Sequence, residues 1–245
     1  MLRANDMPAS GEADMHKETQ TPLARRRILG GGLALSAVLT LPACAGVPGF
    51  SLTEAVRRLL LVSSENAFAR LTAPDGFWDQ EVAKLGLGDM LGSRGNVLTR
   101  LLTSTLVKDQ LEDAFADLAV DASFKAAPIV TEAVRTIGFA NAAELVRGGP
   151  KAATGFLRGE LGGRLVDQLV PELGQAIRIT SDPVVSELLR SVSGRDIGAI
   201  AQGFAGNIDD AIWNEIGKEE ALIRSNPRGT NDPLLIGVFG LGGAL

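Results

Sequence analysis

The stretch Asn207–Pro227, NIDDAIWNEIGKEEALIRSNP, decides the fold. Ile208, Ile212, Ile216 and Ile223 recur at the period of a helix, so one face of it carries branched apolar side chains turn after turn. A half-buried strand would need apolar residues to alternate at a period of two, and here they do not. Asn226-Pro227 ends the helix, because proline disfavours helical geometry in the residue before it.

Working outward, the same logic recurs along the chain. Ser51-x-x-Glu54 is a capping-box start, followed by Leu52, Val56, Leu59, Leu60 and Phe68 at helical spacing. TAPDGFWDQ (72–80) reads as a turn punctuated by Pro74-Asp75-Gly76, and the glycine-rich LGLGDMLGSRGN (85–96) as another break. Leu98 to about Phe124 predicts a helix with Leu111, Phe115 and Leu118 on one side, and Ala126–Ile137 a further amphipathic helix. Gly148-Gly149-Pro150 stops one helix and opens the next, with Pro150 in a favourable first-turn position. The helix that follows carries Leu157, Leu161, Leu165 and Leu169 four apart, and Pro171 should end or kink it. Asp182-Pro183 and Asp232-Pro233 open two more. No alternating β-branched run bounded by hairpin turns occurs. The expectation is an all-α, single multi-helix domain over residues 51–245.

A formal charge of −5, with no Lys/Arg cluster beyond the N-terminus, argues against a nucleic-acid partner, which needs clustered cations to displace phosphate counterions. The N-terminus carries a different message. Arg25, Arg26 and Arg27 precede an uncharged, mostly apolar run from Ile28 to Leu41. That run is roughly 14 residues long, too short to span a bilayer but suited to a signal-peptide core. Arg25-Arg26-x-Ile28-Leu29 resembles a twin-arginine export signal, with Ala24 and Ile28 departing from the commonest pattern; Sec export stays open. Leu41-Pro42-Ala43-Cys44 resembles the lipobox of bacterial lipoproteins, which implies cleavage before Cys44 and a diacylglyceryl group on its thiol. A disulfide has no partner in the chain, a metal site has no neighbouring His or Cys, and a buried structural thiol would not follow such an apolar run. The expected organisation is a signal peptide over 1–43, a lipidated tether over 44–50, and the helical domain. Ala45 after the cysteine points to the outer membrane by resemblance to enteric sorting rules.

Cleavage changes the chemical inventory. His16, the only histidine, lies in the removed segment, and tyrosine is absent throughout. Ser–His–Asp and Cys–His catalysis then have no imidazole, and His/Cys zinc, His-held haem and Cys-held clusters have no ligands. No cofactor and no metal are expected. Carboxylate chemistry, Ser/Lys chemistry, all-oxygen cation sites or no catalysis remain.

Four features compete for function. Asp109, Asp113, Asp117 and Asp121 form an acidic stripe, either a cation or basic-partner surface or a solvated face; a straight helix cannot converge four carboxylates on one Ca²⁺. Gly155, Gly159 and Gly163, with Gly162, sit at small-xxx-small spacing, which favours close helix packing over an apolar ligand groove. Gly86-x-Gly88 and Gly148-Gly149-Pro150-Lys151 superficially resemble phosphate loops, but neither follows a strand nor has Walker spacing, so both read as turns. Glu220 and Arg224, beside Glu219, form a favourable i, i+4 pair.

Two segments also resemble a known family. Gly148, Gly149, Ala152, Ala153, Thr154, Phe156, Arg158, Leu165 and Pro171 in ELVRGGPKAATGFLRGELGGRLVDQLVPEL (144–173) are similar to a segment of the domain-of-unknown-function family DUF4197. So are Glu219, Glu220, Ile223, Arg224, Asn226, Pro227, Leu234, Leu235, Val238, Phe239 and Gly240 near the C-terminus. The resemblance weakens between Phe77 and Asp121, and the run Gly159–Gly163 departs from the polar residues expected there. It implies a bacterial, exported, often lipidated protein and supplies no activity. It singles out Thr154, Arg158, Glu219, Glu220 and Arg224 as a binding or structural network.

The leading expectation is a non-enzymatic envelope lipoprotein that binds an apolar ligand or an envelope protein at the membrane face. The alternatives are a hydrolase or transferase using Glu219 or Glu220 with Arg158 or Arg224, and a structural scaffold. A cleft lined by Arg158, Glu219 and Arg224 would favour the enzyme.

Overall fold

A computed structural model of the protein describes residues 51–74, 76–85, 105–179, 182–183, 185–186 and 194–240. Arg25, Arg26, Cys44, the tether, Gly86-x-Gly88, and the stretches 86–96 and 98–104 lie outside the described residues. Helices α1 (Leu52–Leu71), α2 (Phe77–Leu85), α3 (Thr105–Thr136), α4 (Ala142–Arg147), α5 (Ala152–Leu161), α6 (Arg164–Ile179), α7 (Gly194–Ser225) and α8 (Pro233–Phe239) make an all-α domain. A 3₁₀ turn (Pro227–Thr230) joins the last two, and no strand occurs among the described residues.

The spine is α7, 32 residues and so about 48 Å long. It packs mainly on α1 and α6, while α3 covers α1, α2 and α6. Ile208, Ile212, Ile216 and Ile223 all face inward. Phe204 meets Phe115 of α3 edge-on, ring centroids 5.0 Å apart. Trp78 holds α2 against α3 by donating to Ser123 Oγ at 3.1 Å, and Ser123 in turn donates to the Ala119 carbonyl. The chain ends of the domain meet where Arg58 of α1 donates to Asp232 at 2.6 Å. Asp232 also accepts from the Leu234 and Leu235 amides, capping α8 as its position before Pro233 implies. Ser51 caps α1, and Asp182 accepts from the Val185 amide in the same way. No helix among the described residues is long and apolar enough to cross a membrane.

Several expectations need correcting. The helices read as Leu98–Phe124 and Ala126–Ile137 are, over the described residues, the single helix α3. Leu111, Phe115, Ala119, Ala122, Ala126, Val130 and Val134 form one unbroken buried stripe, and Pro128 sits on the exposed side, away from it. Conversely, the helix read through Leu157–Leu169 is two, broken at Gly162, whose φ of +55° is left-handed. Pro171 does not end α6; it lies inside it, exposed. The turn read over 72–80 closes early, because Phe77 begins α2 and buries Trp78 and Val82 on one face. Leu52 remains 40% exposed although it has the spacing of a core residue. The long last helix also begins at Gly194, upstream of Asn207.

The glycine stripe is also corrected. A Cβ added at Gly155 or Gly159 would meet nothing within 4 Å, and one at Gly163 would reach only Asp167. Among the described residues no helix approaches this face, and all three glycines are exposed.

Candidate ligand groove and buried carboxylate network

Helix α5 begins without a capping side chain, since Lys151 occupies its N-cap position and offers no acceptor. A residue from another helix supplies one. Glu220, fully buried on α7, accepts from the Ala153 amide at 3.0 Å, the Thr154 amide at 2.7 Å and the Thr154 hydroxyl at 2.6 Å. These are the second and third helical amides, the donors an N-cap side chain would normally satisfy. A carboxylate also suits the positive end of the helix dipole.

One turn along α7, Arg224 closes the other side of the same connection. Its Nε donates to Glu220 at 2.8 Å, while its terminal nitrogens donate to the Val146 and Leu145 carbonyls at 2.9 and 2.8 Å. Those carbonyls lie in the last turn of α4, where no intrahelical donor remains. The guanidinium also stacks over Phe239 of α8, 4.8 Å from the ring centroid. A single i, i+4 pair therefore seals both helix ends around Gly148-Gly149-Pro150. A side chain at Gly148 would collide with Ala152, its Cβ only 2.5 Å away, so the turn is tight enough to require glycine. The α5 N-terminus is already occupied by the protein's own carboxylate, which agrees with the reading of this loop as a turn.

The other singled-out residues go elsewhere. Glu219, adjacent to Glu220, faces α1, where Arg70 and Asn66 donate to it. Arg70 also reaches the buried Glu215 at 2.9 Å, and Lys218 binds the same carboxylate. Arg158 pairs with Asp209 at 2.8 Å and with Asp210, and Trp213 donates to the other Asp209 oxygen at 2.8 Å. Burial pushes the Asp209 carboxyl above its ordinary value, against the opposing pull of Trp213 and Arg158. Arg158 is thus about four turns of α7 away from Arg224. No cleft among the described residues joins Arg158, Glu219 and Arg224. Glu220 has two bonds on each oxygen and no solvent contact, an arrangement built to hold helices and not to move a proton.

The aspartates of the acidic stripe are all exposed, and Lys108 pairs with Glu112 and Lys125 with Glu172 at its two ends. No cluster of potential metal ligands occurs among the described residues.

Above the Arg224 seal lies a groove of about 820 Å³, within the usual range of small-molecule sites. One wall is the end of α4 and its turn, through Ala143, Val146, Arg147 and Gly148-Gly149-Pro150. The others are Ala221, Arg224 and Ser225 of α7, Gly237, Val238 and Phe239 of α8, and Leu52 at the start of α1. Leu52 therefore has a use outside the core. Most of this lining is apolar, and no carboxylate among the described residues contributes to it.

Both sealed segments fall within the reach of a family model. The model for Protein of unknown function (DUF4197) matches residues 48–240. The chain belongs to the DUF4197 family. Searches of curated proteins and of solved structures find no match. In this DUF4197 domain, Thr154, Glu220 and Arg224 form one network, while Arg158 and Glu219 belong to two others. Sequence reasoning missed Arg70, Glu215, Asp209 and Trp213. The i, i+4 spacings Asp209–Trp213 and Glu215–Glu219 were visible signals, whereas nothing local marks Arg70 as the partner of Glu215 and Glu219.

Proposed function

We propose that the protein is a non-enzymatic, lipid-anchored envelope protein whose helical domain binds an apolar ligand in the α4–α7–α8 groove. The observation that carries this reading is the groove itself, apolar along most of its lining and held open by the Arg224 seal beneath it. Its position adds support. Leu52, on its wall, stands eight residues after Cys44, so an acylated Cys44 keeps the groove within about 30 Å of the bilayer. Two or three acyl chains, each contributing about 0.8 kcal/mol per buried CH₂, would anchor the domain stably. Ala45 favours the periplasmic face of the outer membrane, after export of the twin-arginine or Sec type.

The enzymatic alternative loses its support because its residues are dispersed over three separate networks. Mass spectrometry of the native protein tests the proposal, reporting an acylated N-terminus at Cys44 and a co-purified apolar ligand. Ala221→Trp should fill the groove and abolish co-purification while leaving acylation intact. An unmodified, uncleaved N-terminus would overturn the address. Undiminished ligand in Ala221→Trp would overturn the groove.

A further inference from the structure

Two guanidiniums line the groove, and they are in different states. Arg224 is committed to Glu220 and to two carbonyls, so its charge is already balanced. Arg147, exposed in the last turn of α4, makes no ion pair or hydrogen bond with any described residue. A cation at a helix C-terminus is favourable by itself, and that would account for an arginine anywhere on the surface. It does not account for one standing at the edge of an apolar groove to which no described residue contributes a carboxylate.

Charge and shape together narrow the occupant. A neutral hydrocarbon would gain nothing from Arg147, and a cationic amphiphile would be repelled by it. A phosphomonoester would bring two negative charges to one unbalanced cation. A carboxylate brings one, and its two oxygens match the planar guanidinium fork. Resting on the binding reading above, we propose that the groove holds a long-chain fatty acid, its hydrocarbon against Ala221 and Val238 and its carboxylate on Arg147.

The test uses the full chain carrying Cys44→Ala, which removes the acylation target and keeps its own lipid out of the assay. Palmitic acid, hexadecanol and a lysophospholipid are titrated by fluorescent-probe displacement at low and high salt. Palmitic acid should bind at least as tightly as the other two. Arg147→Gln should weaken palmitic acid about fivefold, the scale of an exposed charge pair, with less effect at high salt. The same substitution should leave hexadecanol within twofold. Ala221→Trp should abolish both.

Equal affinities for palmitic acid and hexadecanol, unaltered by Arg147→Gln, would overturn the fatty-acid proposal while sparing the groove. Tighter binding of the lysophospholipid would overturn it in the same way. Failure of all three probes, with self-association that Val238→Lys abolishes, would overturn the proposal and the groove reading together, making this face a contact between copies.

Discussion

Removal of the Glu220 carboxylate is the most direct test of how the domain is held together. In Glu220→Ala the Ala153 and Thr154 amides and the Thr154 hydroxyl lose their acceptor, and Arg224, with a side chain only 10% exposed, loses its counter-charge. Breaking a buried pair by deleting one partner costs about 3–5 kcal/mol, mostly from the charge left behind. For a domain of this size each kcal/mol shifts Tm by about 2–4 °C, so a fall of roughly 6–20 °C is expected. Glu220→Gln should fall between, because one of its two positions becomes an NH₂ that faces donors. Adding Arg224→Met to Glu220→Ala should restore part of the loss, since no unpaired guanidinium then remains buried. Urea unfolding followed by Trp78 and Trp213, both buried, reads the effect from two different helices. A Glu220→Ala variant within about 1 kcal/mol of the parent, or strictly additive single variants, would refute the reasoning.

Gly155→Ala and Gly159→Ala should each stabilise the domain by about 0.5–1 kcal/mol, because the new methyl group meets open space and the helix loses a flexible residue. Gly162→Ala should destabilise it by about 1–2 kcal/mol, because its backbone is left-handed; thermal melts separate the two signs. Two carboxylates should give opposite pH signatures in urea titrations. Burial raises the Asp232 carboxyl, but its bonds from Arg58, Leu235 and Leu234 outweigh that and hold it below the usual range. Its contribution is therefore present above the unfolded carboxylate value and lost as pH falls through the lower folded one, and Asp232→Ala should remove that acid limb. Asp209 is raised, so stability declines as pH rises from the ordinary carboxylate value through the folded one, and Asp209→Asn should abolish that decline.

Much of the fold was legible because its signals are local. Ser51, Asp182 and Asp232 announce helix starts through side chains that bond amides two or three residues on. Ile208–Ile223 announce a buried face through period alone. Breaks inside apolar periodicity were less legible. Leu157, Leu161, Leu165 and Leu169 keep four-residue spacing straight through the Gly162 interruption, since all four reach the same core from two helices. Pro128 and Pro171 fail as stop signs because each faces solvent, a fact that depends on the tertiary face and not on the residue. At the site, the Glu220–Arg224 pair could be read from its spacing, but its targets could not. Lys151 is a poor cap, and only the folded chain reveals that the missing acceptor arrives from α7. Arg158 has one exposed acidic neighbour in sequence, Glu160, yet its partners Asp209 and Asp210 come from α7.

The groove takes its walls from the first residue of α1 and from α8, the last helix, with Arg58–Asp232 tying those two regions together. A chain that lacks either Leu52 or α8 lacks part of its walls. On the proposed binding reading, ligand capture would therefore report that the whole domain has been made and folded, and an occupied groove would mark complete molecules apart from partial ones.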